Sequence, residues 1–237
     1  MYVILWGAIL ILVLVFTIPF ASGGVIMSLA LIMAIIALIV VAKRNLDIKK
    51  HNLNKYDENE LIIQNVQKGG VIRLAHLDGQ TGNLDLKVVS RNLYMEGDYS
   101  WYELECINAD GEKFWIDVDD DDELTVSVVI DKPKAFDLKF SSSLDNIDEN
   151  ESGNVKYKGK QYYYADSGDA IFYKYCDDKR KERLYYYDFK CGNSYILSAE
   201  KWKNSDGTSS MEYFVSQIIK PSTITVYSTK GENNTNE

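Results

Sequence analysis

Hydrophobic and polar positions divide this chain into two unlike parts. Residues 1–42 contain no Asp, Glu, Lys, Arg or His, and apolar residues run through them almost without interruption. From Leu61 onward the apolar residues fall into short runs of alternating spacing, rich in Val, Ile, Tyr, Phe and Trp and broken by Gly, Asn and Asp. Such alternation places successive side chains on opposite faces of an extended chain, so the second part reads as a series of β-strands.

The apolar run from Tyr2 to Ala42 is far longer than the roughly 20 residues one helix needs to cross the hydrocarbon core. It breaks naturally at Pro19-Phe20-Ala21-Ser22-Gly23-Gly24, where a proline ring and two glycines interrupt a helix. The pattern predicts a transmembrane helical hairpin, about 2–18 and 25–42, because backbone amides in lipid must be paired within a helix. A cleaved signal peptide competes with this reading, but Met1-Tyr2 supplies no basic residue for its n-region. A single tilted span with the remainder interfacial is the other way to divide the run. Lys43, Arg44, Lys49, Lys50 and Lys55 follow directly, and cationic flanks stay on the cytoplasmic side, so both ends of the hairpin are expected there.

After a juxtamembrane linker (43–65), candidate strands are 70–76, 84–91, 100–107, 112–118 and 124–130. A polar segment, 141–153, reads as a linker, and a second set follows at 161–165, 171–175, 183–189, 194–199 and 211–219. Asn108-Ala109-Asp110-Gly111 has the positive-φ residues of a hairpin turn. The sets correspond: Tyr102-Glu103-Leu104-Glu105-Cys106 matches Tyr187-Asp188-Phe189-Lys190-Cys191 at a separation of 85, and the segment 126–133 matches 215–221 at 88 to 89. The expected fold is therefore mainly β, two similar antiparallel β units (66–140 and 154–227) from an internal duplication, preceded by the pair of transmembrane helices and followed by a disordered tail, 228–237.

Charge and composition narrow the chemistry. The net charge of −9 belongs wholly to the part after Ala42 and excludes a basic nucleic-acid binder. Twelve of the 17 tyrosines lie after Gly153, and in Tyr185-Tyr186-Tyr187 alternation puts the outer two on one face and the middle one on the other. Such tyrosines serve as half-buried sheet residues or as a stacking surface. The acidic run from Asp117 to Glu123 fails as an EF-hand, because Asp122 stands where a glycine must turn the loop and Val128 where a bidentate Glu is needed. Two His and three Cys lack the close spacing of a metal site, so no metal and no cofactor are expected. Cys106 and Cys191 occupy matching strands as small buried residues. Nucleophile elbow, phosphate loop, dinucleotide fingerprint and zinc-protease motifs are all missing, and Asp166 and Asp169, flanking Gly168, read as turn residues.

The soluble part resembles a bacterial family, the domain of unknown function numbered four-one-seven-eight. The resemblance rests on Trp101-Tyr102-Glu103-Leu104, Phe114-Trp115-Ile116 and Tyr157-Lys158-Gly159-Lys160-Gln161-Tyr162. It continues through Tyr185-Tyr186-Tyr187-Asp188-Phe189, Glu200-Lys201-Trp202 and Glu212-Tyr213, spanning about 66–227. Where the family shows an acidic residue after the first Trp, this chain has Tyr102. The resemblance brings no catalytic residues and implies accessory proteins encoded near envelope-stress and membrane-remodelling functions.

The expectation is a non-enzymatic accessory or interaction protein of the bacterial inner membrane. It would display its duplicated β domain to the cytoplasm, in contact with the lipid bilayer and a protein partner, in envelope maintenance or membrane stress. The alternative is an enzyme or small-ligand-binding protein using a cleft between the two β units. Candidate ligand or partner contacts are Trp101, Glu103, Trp115, Tyr187, Asp188, Glu200 and Trp202, and their convergence on one deep pocket favours the alternative.

Overall fold

The structure, a computed structural model, describes residues 35–36, 60–121, 123–204 and 206–231. The expected transmembrane hairpin lies, apart from Ile35 and Ile36, outside the described residues, as does most of the juxtamembrane linker. Among the described residues no helix is long and apolar enough to cross a membrane.

The alternating pattern folds into 12 strands: β1 (Val71–Leu74), β2 (Leu84–Glu96), β3 (Tyr99–Ile107), β4 (Lys113–Asp119), β5 (Thr125–Asp131), β6 (Lys139–Phe140), β7 (Asn154–Tyr157), β8 (Lys160–Tyr173), β9 (Lys181–Cys191), β10 (Tyr195–Lys203), β11 (Ser209–Ile219) and β12 (Ile224–Ser228). They form one antiparallel sheet rather than two separate ones, in the order β12-β1-β2-β3-β4-β5-β11-β10-β9-β8-β7-β6. A further antiparallel pairing of β2 with β8, Leu93 to Met95 against Tyr173 to Ile171, closes the eight strands from β2 through β5 and β11 back to β8 into a ring. Bulges on β2 (between Val88 and Ser90), β8 (between Tyr164 and Asp166) and at the β5–β11 junction bend three of these strands, which is how a twisted sheet acquires the curvature to close.

The ring strands send most of their aliphatic residues to the outer face, while Val129, Leu184 and Ile196 face inward. One core gathers Ile72, Leu86, Val88, Leu104, Ile116 and Val128 under β1 and β12, and Ile63 and Val66, at the turn before β1, close it. A second core gathers Tyr162, Tyr187, Phe189, Leu197 and Val215, covered by β6, β7 and a short helix, α1 (Leu144–Glu149). Strand exchange ties the halves together: β6 follows β5 in sequence but pairs with β7, and β12 follows β11 but pairs with β1.

Several local expectations are corrected. The segments 161–165 and 171–175 are one continuous strand, β8, and Asp166 to Asp169 are strand residues opposite Asp188 to Tyr185 rather than a turn. At Gly168 the Glu96 carboxylate, the end of a flexible side chain, occupies the space an added Cβ would take. The segment 141–153 is not a bare linker: the Ser143 hydroxyl accepts from the Asn146 amide to start α1, and Ile147 is fully buried in the second core. The first residues of the tail belong to the fold, since the Gln67 amide donates to the Thr229 carbonyl at 2.6 Å. The Asn108–Gly111 turn forms as expected, with Gly111 at φ 81°.

Candidate functional site

Because most aliphatic residues of the ring strands take the outer face, the alternate positions face inward. On β4, Phe114, Ile116 and Val118 are buried in the first core while Trp115, Asp117 and Asp119 between them line the lumen. The same alternation brings Trp101 and Glu103 inward from β3, Tyr186 and Asp188 from β9, Ser198, Glu200 and Trp202 from β10, and Glu212 and Phe214 from β11. Together they surround a cavity of about 660 Å³, within the size range of small-molecule sites.

Six of the seven candidate contact residues therefore share one cavity: Trp101, Glu103, Trp115, Asp188, Glu200 and Trp202. Tyr187 does not. Its side chain points to the opposite face, buried in the second core with its hydroxyl donating to Asp145 at 3.4 Å, and the middle tyrosine of the triplet, Tyr186, takes the inward position. Asp117, Glu212, Lys132, Tyr94 and Phe172 also line the cavity without having been singled out. Asp117 carried a usable signal, since it stands two residues after Trp115 in a strand pattern, yet it reads first as the start of the acidic run.

Sheet register sets acidic residues directly opposite one another on the lumen side. Glu103 pairs with Asp117, Glu200 with Glu212, and Asp166 with Asp188. Glu103, Asp117, Asp188 and Glu200 are half-buried, whereas Asp166 and Glu212 are exposed. Each inner carboxylate has a local donor: Asn92 Nδ2 to Glu103 at 2.8 Å, with the Tyr94 hydroxyl a second, the Ser127 hydroxyl to Asp117 at 3.4 Å, the Ser198 hydroxyl to Asp188 at 2.6 Å, and Trp202 Nε1 to Glu200 at 3.0 Å.

These donors do not offset the cost of removing the charges from water. Burial pushes the Asp188 carboxyl up to about 6, with the nearby Asp166 charge adding to it against the Ser198 hydrogen bond. Burial raises Asp117 well above the usual carboxylate range, and the charges of Glu103 and Asp188 raise it further. Glu200 is raised in the same way, by burial and then by Glu103, Asp117, Asp188 and Glu212. Carboxylates from both halves of the chain thus act on one another across the lumen.

The walls between them are aromatic. Tyr94 stacks on Trp101 with ring centroids 5.1 Å apart, and Phe172 bridges Tyr94 at 4.9 Å to Trp202 at 5.5 Å, so β2, β3, β8 and β10 share one aromatic layer. At the rim the exposed Lys132 folds its ammonium over the Trp115 ring, 3.3 Å from the centroid, with Phe214 at 5.0 Å. Among the described residues no group of three or more His, Cys, Asp or Glu comes together so as to hold a metal ion. Among the described residues the cavity lining contains no Cys or His; Cys106 is buried in the first core and Cys191 packs against the second, both as free thiols.

No curated protein and no solved structure matches the chain. A family model described as Domain of unknown function (DUF4178) matches residues 79–221, a span that takes in all eight ring strands and their lumen-facing side chains. As that match covers more than half of the sequence, the chain belongs to this family of domains of unknown function, DUF4178.

Proposed function

We propose that this protein is a binding protein for a small ligand held in the lumen of the strand ring, and that the apolar N-terminus tethers it to a bacterial cytoplasmic membrane. The observation that carries the binding role is the cavity of about 660 Å³ in which indoles and carboxylates from both halves of the chain converge. Scattered over separate surfaces, the same residues would describe only a solvated sheet. Aromatic walls set beside acids from both halves of the chain are the make-up of a pre-formed recognition site.

Duplication accounts for the two-sided site. What supports it is the pairing at the β5–β11 junction, where Val128 lies opposite Gln217, its own match in the sequence repeat. Equivalent strands that pair antiparallel with themselves are what a local two-fold axis produces, and β2 with β8 would be the second such junction. The two units would then each contribute one wall. The membrane tether rests on the uncharged residues 1–42 followed by Lys43, Arg44, Lys49 and Lys50, which favour a cytoplasmic domain. A role in envelope maintenance, with a membrane protein as partner, fits that location.

Full-length protein extracted from membranes in mild detergent and incubated with a cell metabolite extract should carry a small molecule, released on denaturation and detected by mass spectrometry. Ser198→Phe, which fills the lumen, should lose it while keeping its β-sheet circular dichroism. Protein that repeatedly carries nothing would overturn the binding role. For the tether, a membrane-impermeant thiol reagent should label Ser142→Cys, above the unsubstituted chain, only after the cells are opened; labelling of intact spheroplasts would place the domain on the other side.

A further inference from the structure

The chemistry of the lumen is specific enough to name a ligand class. Among the described residues its lining carries eight carboxylates and two ammonium groups, and both of the latter, Lys132 and Lys190, are exposed. Like charges directly opposite each other across strands are destabilising, and the register holds three such pairs facing one space. A positive group placed among them would relieve repulsion and burial at once. An anion would aggravate both, and a neutral polyol would leave the charges uncompensated.

Size decides what kind of cation. A cavity of about 660 Å³ is far larger than a bare ion requires, and the inner acids do not cluster in a metal-holding group. The faces of its aromatic walls attract an ammonium through the ring quadrupole, within about 6 Å of the centroid. The protein itself supplies an example: Lys132 lays its ammonium on Trp115, in the field of Glu212, Glu103 and Glu200.

We infer, on the reading of the lumen as a binding site, that the ligand is an organic cation, an amine or quaternary ammonium on a carbon skeleton. Its charge sits among Glu103, Asp117, Asp188 and Glu200, and its carbon packs against the layer formed by Trp101 and Trp202. Lys132 is then a competing cation at the rim, covering the Trp115 face until the ligand displaces it.

Choline and putrescine serve as cationic probes; the tert-butyl analogue of choline and the diol analogue of putrescine are their uncharged counterparts, and succinate is the anionic control. Binding to the full-length protein is followed by calorimetry and tryptophan fluorescence. At least one cation should bind about tenfold more tightly than its uncharged counterpart, equivalent to about 1.4 kcal/mol. Asp117→Asn and Glu200→Gln, which keep shape and lose charge, should each weaken it several-fold, whereas Lys132→Met should tighten it. Equal binding of charged and uncharged probes, binding of succinate in preference, or no loss in the charge variants would overturn the cation class. If Ser198→Phe abolishes that binding, the lumen still stands as a binding site. If no probe binds either the native chain or Lys132→Met, the cation class fails; if the metabolite extract also yields nothing, the binding role fails with it.

Discussion

The two faces of a single strand make the most instructive comparison in this molecule. On β3, Leu104 and Cys106 are buried among aliphatic side chains, while Trp101 and Glu103, just before them, face the lumen. In a small barrel the aliphatic face ordinarily fills the interior. Here the ring is turned the other way, with aliphatic cores outside it closed by β1 and β12 on one side and by α1, β6 and β7 on the other. The apolar packing that stabilises the fold is thereby assigned to the outer faces, and the indoles and carboxylates to the inner one, although the two are separated by one residue in sequence.

Substitutions on opposite faces of β3 test that division most sharply. Leu104→Ala removes a side chain that is 1% exposed, and large-to-small changes in such cores cost about 2–5 kcal/mol. Its neighbour Glu103→Gln keeps an acceptor for Asn92 and removes one of two charges facing each other across β3 and β4. It should leave stability unchanged or raise it by up to about 1 kcal/mol. Urea denaturation of both variants checks this; a destabilised Glu103→Gln would mean that the lumen acids hold the fold together.

A smaller effect separates the faces by pH. Asp188 titrates near 6 in the folded protein against 3.8 for the free group, so the folded state holds the extra proton between those values. Folding then releases stability as pH rises through that window: the contribution is full below about 4 and gone above about 6, amounting to about 1–3 kcal/mol. Asp188→Asn should flatten the fall in stability between pH 4 and 6, relative to the native chain, as followed by denaturation midpoints. Asp131 behaves oppositely, lowered by the Lys158 ion pair and the Tyr157 hydroxyl despite burial, so its substitution should not flatten that fall.

The strand pattern was readable in the sequence because alternation survives even where the two faces hold Ile and Asp. Which face was the interior was not readable, since a polar face opposite an apolar one ordinarily means solvent. That is why Asp117 reads as part of an acidic run and Glu212 as one residue of a motif rather than as cavity residues, and why Tyr187, rather than Tyr186, is the expected contact. Trp101, Trp115 and Trp202 were legible because each stands in a motif that carries the family resemblance. β6, β7 and β12 are two to five residues long and carry too few alternations to register. Asp166-Ser167-Gly168-Asp169 has turn composition, but its partners on β9 hold it extended, and only the folded position of Glu96 explains the glycine.

That glycine sets up the mildest test, at the junction where the two halves of the ring meet. Gly168 faces the lumen side of β8, and the carboxylate of Glu96 on β2 rests against it while accepting a hydrogen bond of 2.7 Å from the Tyr186 hydroxyl. An alanine methyl would displace a flexible side-chain end rather than backbone, so Gly168→Ala should cost only about 1 kcal/mol, the value of one hydrogen bond to a charged group less what rearrangement restores. Its effect should be local. Amide exchange should quicken in Leu93 to Met95 and in Ile171 to Tyr173, which pair across this junction, and stay unchanged in Ser127 to Val129 and their partners on β11. Faster exchange at both junctions together would mean that the ring opens as a unit; faster exchange only at β2 and β8 would make this the weaker of the two junctions and the natural place for a ligand to enter.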